Sequence, residues 1–259
     1  MKSDILHKKE YHVDWGDIDL NKELKLSTLF SCFQDVASEA SEKLGFGIES
    51  LDREYGVAWV LMKIRVDLLK NPKVGDTISI ETWPLEPGKI DYGRDYIVRN
   101  QQGEVMIRAI SSWVLMDLRQ RKISRKGTVP IQYPASLKER AIDEKLKKLK
   151  AEGPLDESYR KMIGYSDIDF NGHLNNSKYV DYILDCFSVS EHRNYRIQSI
   201  EVHFTNEALP DETIVLQTDT SASEQSKLYI EGFNLDTNKT VFKSKLIIEK
   251  KMNCQSLQQ

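Results

Sequence analysis

Between Asp167 and Tyr179 the chain reads Asp-Ile-Asp-Phe-Asn-Gly-His-Leu-Asn-Asn-Ser-Lys-Tyr. Acid, amide and imidazole side chains crowd together here: Asp167, Asp169, Asn171, His173, Asn175 and Asn176. An imidazole titrates near neutral pH and can take a proton from water or give one to a leaving thiolate. A carboxamide offers two N–H donors to a polarised carbonyl. Free N–H groups at the start of a helix favour developing negative charge. Together these parts suit acyl chemistry. Two other readings fit the same letters. Asp167, Asp169, Asn171 and Gly172 fall on positions 1, 3, 5 and 6 of a calcium-binding EF-hand loop, but position 12, which needs a bidentate Glu, is Lys178. Asp and Asn also build turns and cap helices without doing chemistry, a reading that leaves His173 unexplained.

A helix must follow this loop. Val180, Ile183, Leu184 and Phe187 recur at the spacings of one helical face, and Asn176 or Ser177 is the expected N-cap. The same frame occurs earlier. Residues 17–21, Asp-Ile-Asp-Leu-Asn, precede Asp-Ile-Asp-Phe-Asn at 167–171 by 150 positions. There the apolar stripe Leu26, Leu29, Phe30, Phe33, Ala37, Ala40 and Leu44 predicts a long helix ending at Gly45. Its width predicts burial along much of its length, as when a sheet wraps a helix. A second correspondence sets residues 75–82 against 211–218, now 136 positions apart, so the second copy is 14 residues shorter between loop and sheet. The chain is one fold written twice. His173 faces Glu23 and Gly172 faces Lys22, so chemistry is expected in the second copy alone.

The strands follow the same order twice. Residues 8–15 predict a first strand. From Ala58 to Leu68 the even positions are apolar and the odd ones turn from Trp59 and Leu61 to Lys63, Arg65 and Asp67, which predicts a half-buried strand whose first part is covered on both faces. Residues 77–83, 92–99 and 104–117 complete an antiparallel meander. The second copy predicts a helix at 177–188 and strands near 198–206, 212–219, 227–234 and 240–249. Helix first and antiparallel meander second reads as an α+β fold. The expected domains are 1–129 and 159–259. Between them lies a linker, 130–158, broken by Pro130 and Pro134, with a Lys-rich surface helix at 141–152.

Composition narrows the class. The 259 residues are 40% hydrophobic and 30% charged with a net charge of −3, which suits a soluble globular protein and argues against nucleic-acid binding. No apolar run approaches the roughly 20 residues of a membrane helix, and Met1–Leu6 lacks the apolar core of a signal peptide. Cys32, Cys186 and Cys254 are too scattered for a disulfide framework or a zinc site. The expected location is the cytoplasm.

The loop Asp169–Asn176, with Tyr179 on the helix, is similar to the signature of hotdog-fold thioesterases. The duplication narrows the resemblance to the acyl-acyl-carrier-protein thioesterases of plant plastids and bacteria. Further motifs of that family stand in the first half: Trp59-Val60-Leu61, Gly75-Asp76, Glu81-Thr82-Trp83, Arg94-Asp95, Gly103-Glu104-Val105 and Arg108-Ala109. Ser111, Trp113, Met116 and Arg121 complete them, and the resemblance runs from about residue 8 to 249. It implies a tandem double hotdog, each a long helix wrapped by an antiparallel sheet, with the sheets side by side. The implied reaction is hydrolysis of a fatty acyl thioester on acyl carrier protein, in fatty acid biosynthesis, with no metal or cofactor. The family's catalytic Asp, Asn and His fall on Asp169, Asn171 and His173, and its Glu on Glu207. In many plant members a Cys follows that Glu; here it is Ala208. Opposite Glu207 the first copy has Asn71.

Two further sets of residues bear on substrate. Trp59, Met62, Trp113 and Met116 on the first-half strands are candidates to line an acyl pocket, or else belong to plain core. Arg119, Arg121, Lys122, Arg125 and Lys126 form a basic run suited to an acidic carrier protein, with an ordinary solvated face as the other reading. Cys186 reads as packing rather than nucleophile. An acyl-CoA thioesterase with the same site and a non-catalytic acyl-binding hotdog protein remain as alternatives, and a homodimer is left open.

Overall fold

A computed structural model describes residues 5–131, 133–134, 137–221 and 226–251. The chain divides into two compact units, Met1–Lys147 and Lys148–Gln259, a boundary inside the expected linker.

The first unit opens with β1 (His7–His12), a polar loop and α1 (Leu26–Lys43). A short helix α2 (Ile48–Tyr55) follows, then β2 (Val57–Leu68), β3 (Thr77–Pro84), β4 (Asp91–Arg99), β5 (Val105–Asp117) and the two-residue β6 (Lys122–Ile123). The sheet is antiparallel in the order β1-β3-β4-β5-β2, with β6 against β5. Helix α1 buries the predicted stripe, including Leu29, Phe30, Phe33 and Ala40, and the Phe33 ring lies 4.7 Å from that of Tyr96 on β4. Full burial of each such large side chain is worth about 1.5–3 kcal/mol. Gly45, at φ 82°, lets the chain turn sharply off α1, and the Gly45 and Phe46 N–H groups donate to the last carbonyls of the helix.

The second unit repeats this plan. It runs β7 (Asp156–Met162), a polar loop, α3 (Asn176–Asp185), a short α4 (Val189–Asn194), β8 (Tyr195–Phe204), β9 (Thr213–Asp219), β10 (Lys227–Asn234) and β11 (Lys239–Lys250). Its sheet order, β7-β9-β10-β11-β8, is that of the first unit strand for strand. Helix α3 has 10 residues against 18 in α1, which accounts for most of the 14-residue deficit. Tyr179, Val180, Tyr182 and Ile183 are its buried face. The Tyr179 ring meets Phe204 and Phe242 edge-on at 5.4 and 5.5 Å, locking α3 to β8 and β11.

Several expectations are corrected. The meander is β3-β4-β5 only, because β2 pairs with β5 and not with β3. The first strand ends at His12 rather than at 15, and α3 ends at Asp185 rather than at 188. Strand β2 does not keep its even positions inward throughout. A bulge at Met62 shifts the register, so Val57 and Leu61 are buried before it and Ile64, Val66 and Leu68 after it. The segment 141–152 is not a helix. Side chains claim its backbone instead: Ala141 N–H donates to Asp95 Oδ2 at 2.7 Å, and the Ala141 carbonyl accepts from Arg108 at 3.2 Å. Ala141 and Ile142 are buried against Trp83, Ile97 and Ile110, a burial that an extended strap achieves and a Lys-rich helix would not. The N-cap of α3 is Asn175, not Asn176 or Ser177; its Oδ1 accepts from the N–H of Ser177 at 2.9 Å. The sequence does not predict the short elements α2, α4, β6 and β7; β7 starts in the last residues of the expected linker and runs into the expected second domain. Among the described residues no helix is long and apolar enough to cross a membrane. Cys254 lies outside the described residues.

Candidate active site in the second unit

The polar loop is built from its own backbone. Asp169 N–H donates to the His173 carbonyl at 2.8 Å and Gly172 N–H to the Asp169 carbonyl at 3.0 Å, with Gly172 at φ 78°. Asp169 Oδ1 accepts from the N–H groups of Asn171 (2.8 Å) and His173 (3.3 Å). Asp169 is therefore the bracket that presents Asn171 and His173, an Asx-type role. Beneath it, Asp167 accepts from Gly164 N–H at 2.9 Å and lies 3.6 Å from Lys161 Nζ. Burial pushes the Asp167 carboxyl up, but Gly164 N–H, the neighbouring Tyr182 hydroxyl and Lys161 outweigh it and hold the group below its usual range. In the calcium reading, Asp167 and Asp169 would share an ion; each is instead engaged by N–H donors, and Lys178 pairs with Asp181.

His173 and Glu207 come together across 33 residues of chain: Nε2 lies 3.2 Å from Oε2. Both are part exposed, at 31% and 47% of their side chains, so water and substrate can reach them. The two loops are stitched directly, Leu174 N–H donating to the Ala208 carbonyl at 2.9 Å. Ala208 is fully buried, so no nucleophile replaces the cysteine of the plant pattern. Burial raises the Tyr179 hydroxyl, and the carboxylates of Glu207, Glu212 and Asp169 raise it further, keeping it protonated beside the pair. The Asn171 carboxamide is exposed and makes no hydrogen bond among the described residues. The N–H of Ser177 is taken by the Asn175 cap, while the exposed Asn171 carboxamide is a donor that a carbonyl oxygen can meet.

The first unit carries the same scaffold with other side chains at the positions of the pair. Asp19 Oδ1 accepts from the N–H groups of Asn21 (2.8 Å) and Glu23 (3.1 Å), and Leu24 N–H donates to the Pro72 carbonyl at 2.8 Å. Where His173 meets Glu207, Asn71 Nδ2 donates to Glu23 Oε2 at 2.5 Å. That pair is a carboxylate tied to an amide, with no imidazole in it. The Asn21 carboxamide is folded back on Asp19 at 3.3 Å, unlike that of Asn171.

The four acyl-pocket candidates do not share one surface. Trp59 pairs with Leu115 and Leu61 with Trp113, so Trp59 and Trp113 lie on one face of the sheet, beside Phe46 and Tyr92. Met116 pairs with Ala58 on the opposite face, and Met62 is the extra residue of the β2 bulge. On the same face as Trp113, Arg94 is 4% exposed and donates only to Thr82 and Ser41, each at 3.3 Å, among the described side chains. The basic run Arg119, Arg121, Lys122, Arg125 and Lys126 lies exposed on the β5–β6 hairpin, where Leu118 and Ile123 are also exposed, at 39% and 40%. Lys126 reaches Glu86 at 3.5 Å.

Residues 4–127 match the family model of the acyl-ACP thioesterase N-terminal domain and residues 154–250 that of the acyl-ACP thioesterase C-terminal domain. The chain is 24% identical over 241 residues to a chloroplastic acyl-[acyl-carrier-protein] hydrolase of Cuphea viscosissima, covering 86% of this chain and 56% of that protein. It is 26% identical over 237 residues to the chloroplastic oleoyl-acyl carrier protein thioesterase 1 of Arabidopsis thaliana, covering 84% and 65%. The chain thus spans 56% and 65% of the length of these curated relatives. Among solved structures, an acyl-ACP thioesterase from Bacteroides thetaiotaomicron has a TM-score of 0.87 at 23% identity, covering 96% of this chain and 100% of that one. The 12:0-ACP thioesterase from Umbellularia californica has a TM-score of 0.80 at 21% identity, covering 95% and 98%. The fold is therefore the α+β hotdog arrangement expected from the sequence.

Proposed function

The chain belongs to the acyl-ACP thioesterase family, and on that footing we propose that it hydrolyses fatty acyl thioesters borne by acyl carrier protein, in fatty acid biosynthesis. The observation that carries this reading is the His173–Glu207 pair at 3.2 Å, replaced in the first unit by Glu23 and Asn71. Water bound at the pair loses a proton to it and attacks the carbonyl carbon of the thioester. Asn171 holds the carbonyl oxygen as it gains negative charge, and Asp169 holds Asn171 and His173 in place. The tetrahedral intermediate then collapses, the carbon–sulfur bond breaks, and the pair returns the proton to the leaving thiolate. Free fatty acid and the carrier thiol are the products.

The partner follows from the β5–β6 hairpin. Five cations around exposed Leu118 and Ile123 suit an acidic protein with an apolar patch better than a compact nucleotide thioester. Cytoplasmic action is proposed with it, on the scattered spacing of the three cysteines along the sequence. The test measures hydrolysis of matched acyl-carrier-protein and acyl-CoA substrates at several salt concentrations. Preference for the carrier substrate should weaken as the Debye length falls from about 10 Å at 0.1 M to about 3 Å at 1 M. Reversal of Arg121, Lys122 and Arg125 to Glu should raise KM for the carrier substrate and leave a small thioester unaffected. Equal or better turnover of acyl-CoA would reassign the substrate, and no hydrolysis of either would leave a binding protein.

A further inference from the structure

The side chain of Glu207 is half exposed, so packing alone does not hold it against His173; its loop must. That loop, residues 205–212, joins β8 to β9. Its centre is fastened to the His173 loop by the Leu174–Ala208 hydrogen bond. Its far side is fastened by Glu212, whose Oε2 accepts from Leu209 N–H at 2.7 Å. The same oxygen accepts from Asn234 Nδ2, also at 2.7 Å. Asn234 is fully buried, and its Oδ1 accepts from the N–H groups of Asp236 and Thr237 at 2.9 and 3.1 Å. Its amide is thereby oriented, with Nδ2 aimed at Glu212.

The first unit supplies the control. At the position of Glu212 stands Asp76, whose Oδ2 accepts from Lys73 N–H at 2.8 Å, the counterpart of the Leu209 bond. The counterpart of Asn234 is Asn100, whose Oδ1 likewise accepts two turn N–H groups. Its Nδ2, however, donates to Glu104 at 3.0 Å rather than to Asp76. The link from hairpin turn to loop is thus present in the unit with the His–Glu pair and missing, among the described residues, from the unit without it. One methylene separates the two acids.

We propose that Glu212, buttressed by Asn234, is a positioning residue for hydrolysis, holding the 205–212 loop so that Glu207 meets His173. This rests on the thioesterase reading above. A carboxylate displaced by about 1 Å can cost on the order of 100-fold in rate. In the full-length protein Glu212→Ala should therefore lower kcat by about 10–100-fold with KM changed by less than about threefold. Glu212→Gln keeps an acceptor oxygen at the same reach and should restore kcat to within about threefold. Glu212→Asp recreates the first-unit arrangement, capping Leu209 without reaching Asn234, and should fall between. Combined with Glu207→Gln, Glu212→Ala should add less than about threefold, because the two act as one device. The proposal is overturned by wild-type kcat in folded Glu212→Ala, by failure of Gln to rescue, or by losses that multiply. Should the Ala variant not fold, Asp and Gln variants of equal kcat overturn it. Absence of hydrolysis by the unmodified protein would instead overturn the thioesterase reading, and this inference with it.

Discussion

Replacing His173 with Ala separates the catalytic reading of the loop from the structural one. The side chain makes one strong contact, 3.2 Å to Glu207, and both partners are substantially solvated. A side-chain pair at that exposure contributes about 0–1 kcal/mol to stability. For a protein of this size that corresponds to a fall in Tm of no more than about 2–4 °C. The backbone contacts of residue 173, N–H to Asp169 Oδ1 and carbonyl from Asp169 N–H, survive in an alanine. The loop should keep its shape. The chemistry should not survive. A positioned acid–base group is worth about 10²–10⁴-fold in rate, or about 2.7–5.4 kcal/mol of transition-state stabilisation, several times the structural term. The assay is release of carrier thiol at saturating acyl-carrier protein, run beside a thermal melt of the same sample. Glu207→Gln should match the loss, and the double variant should lose little more. Glu23→Ala, the mirror change in the first unit, should leave kcat unchanged. A His173→Ala protein with near-native kcat and an unshifted melt would refute the assignment; a large drop in Tm would return the loop to a structural role.

Cys186 tests the absence of a thiol nucleophile. Burial pushes its thiol up to about 12, so at pH 8 only about one molecule in 10⁴ carries the thiolate; iodoacetamide at that pH should not inhibit, and Cys186→Ala should retain most activity. The acyl pocket is tested by comparing the two faces of the first-unit sheet: Trp113→Ala should change preferred chain length, whereas Met116→Ala, on the other face, should not, as read from the fatty acid profile of producing cells. Asp167 predicts an acid limit on stability. Its carboxyl titrates lower folded than unfolded, so its contribution is present above about pH 4 and fades as pH falls through the folded value; chemical denaturation of Asp167→Asn and wild type should differ most at pH 7, and the gap should narrow as pH falls below about 4.

By itself the sequence determined the duplication, the places of most strands along the chain and the helix that follows each polar loop. Those features are written in local letters: a repeated Asp-Ile-Asp-x-Asn and a three-to-four apolar spacing; of the candidate site, His173 is marked by Glu23 in the other copy, and Glu207 by the family resemblance. Local preference and tertiary outcome agree at these places, so the pattern reads directly. Other features were decided only when the chain packed. Alternation along β2 could not show that Met62 would bulge and reverse which face the flanking residues take, because a bulge depends on the partner strand. The Lys-rich 141–152 stretch scans as a helix, yet Asp95 and Arg108, distant in sequence, take its backbone and hold it extended. The faces of Trp59 and Met116 depended on the same register. Glu212 and Asn234 are ordinary polar letters, 22 positions apart. Their importance arises because β9 and β10 pair so that a buried amide in one turn reaches the carboxylate that caps another. Spacing along a chain records which residues are neighbours on one element; which elements face one another is settled by burial and by hydrogen bonds that close only in the folded sheet.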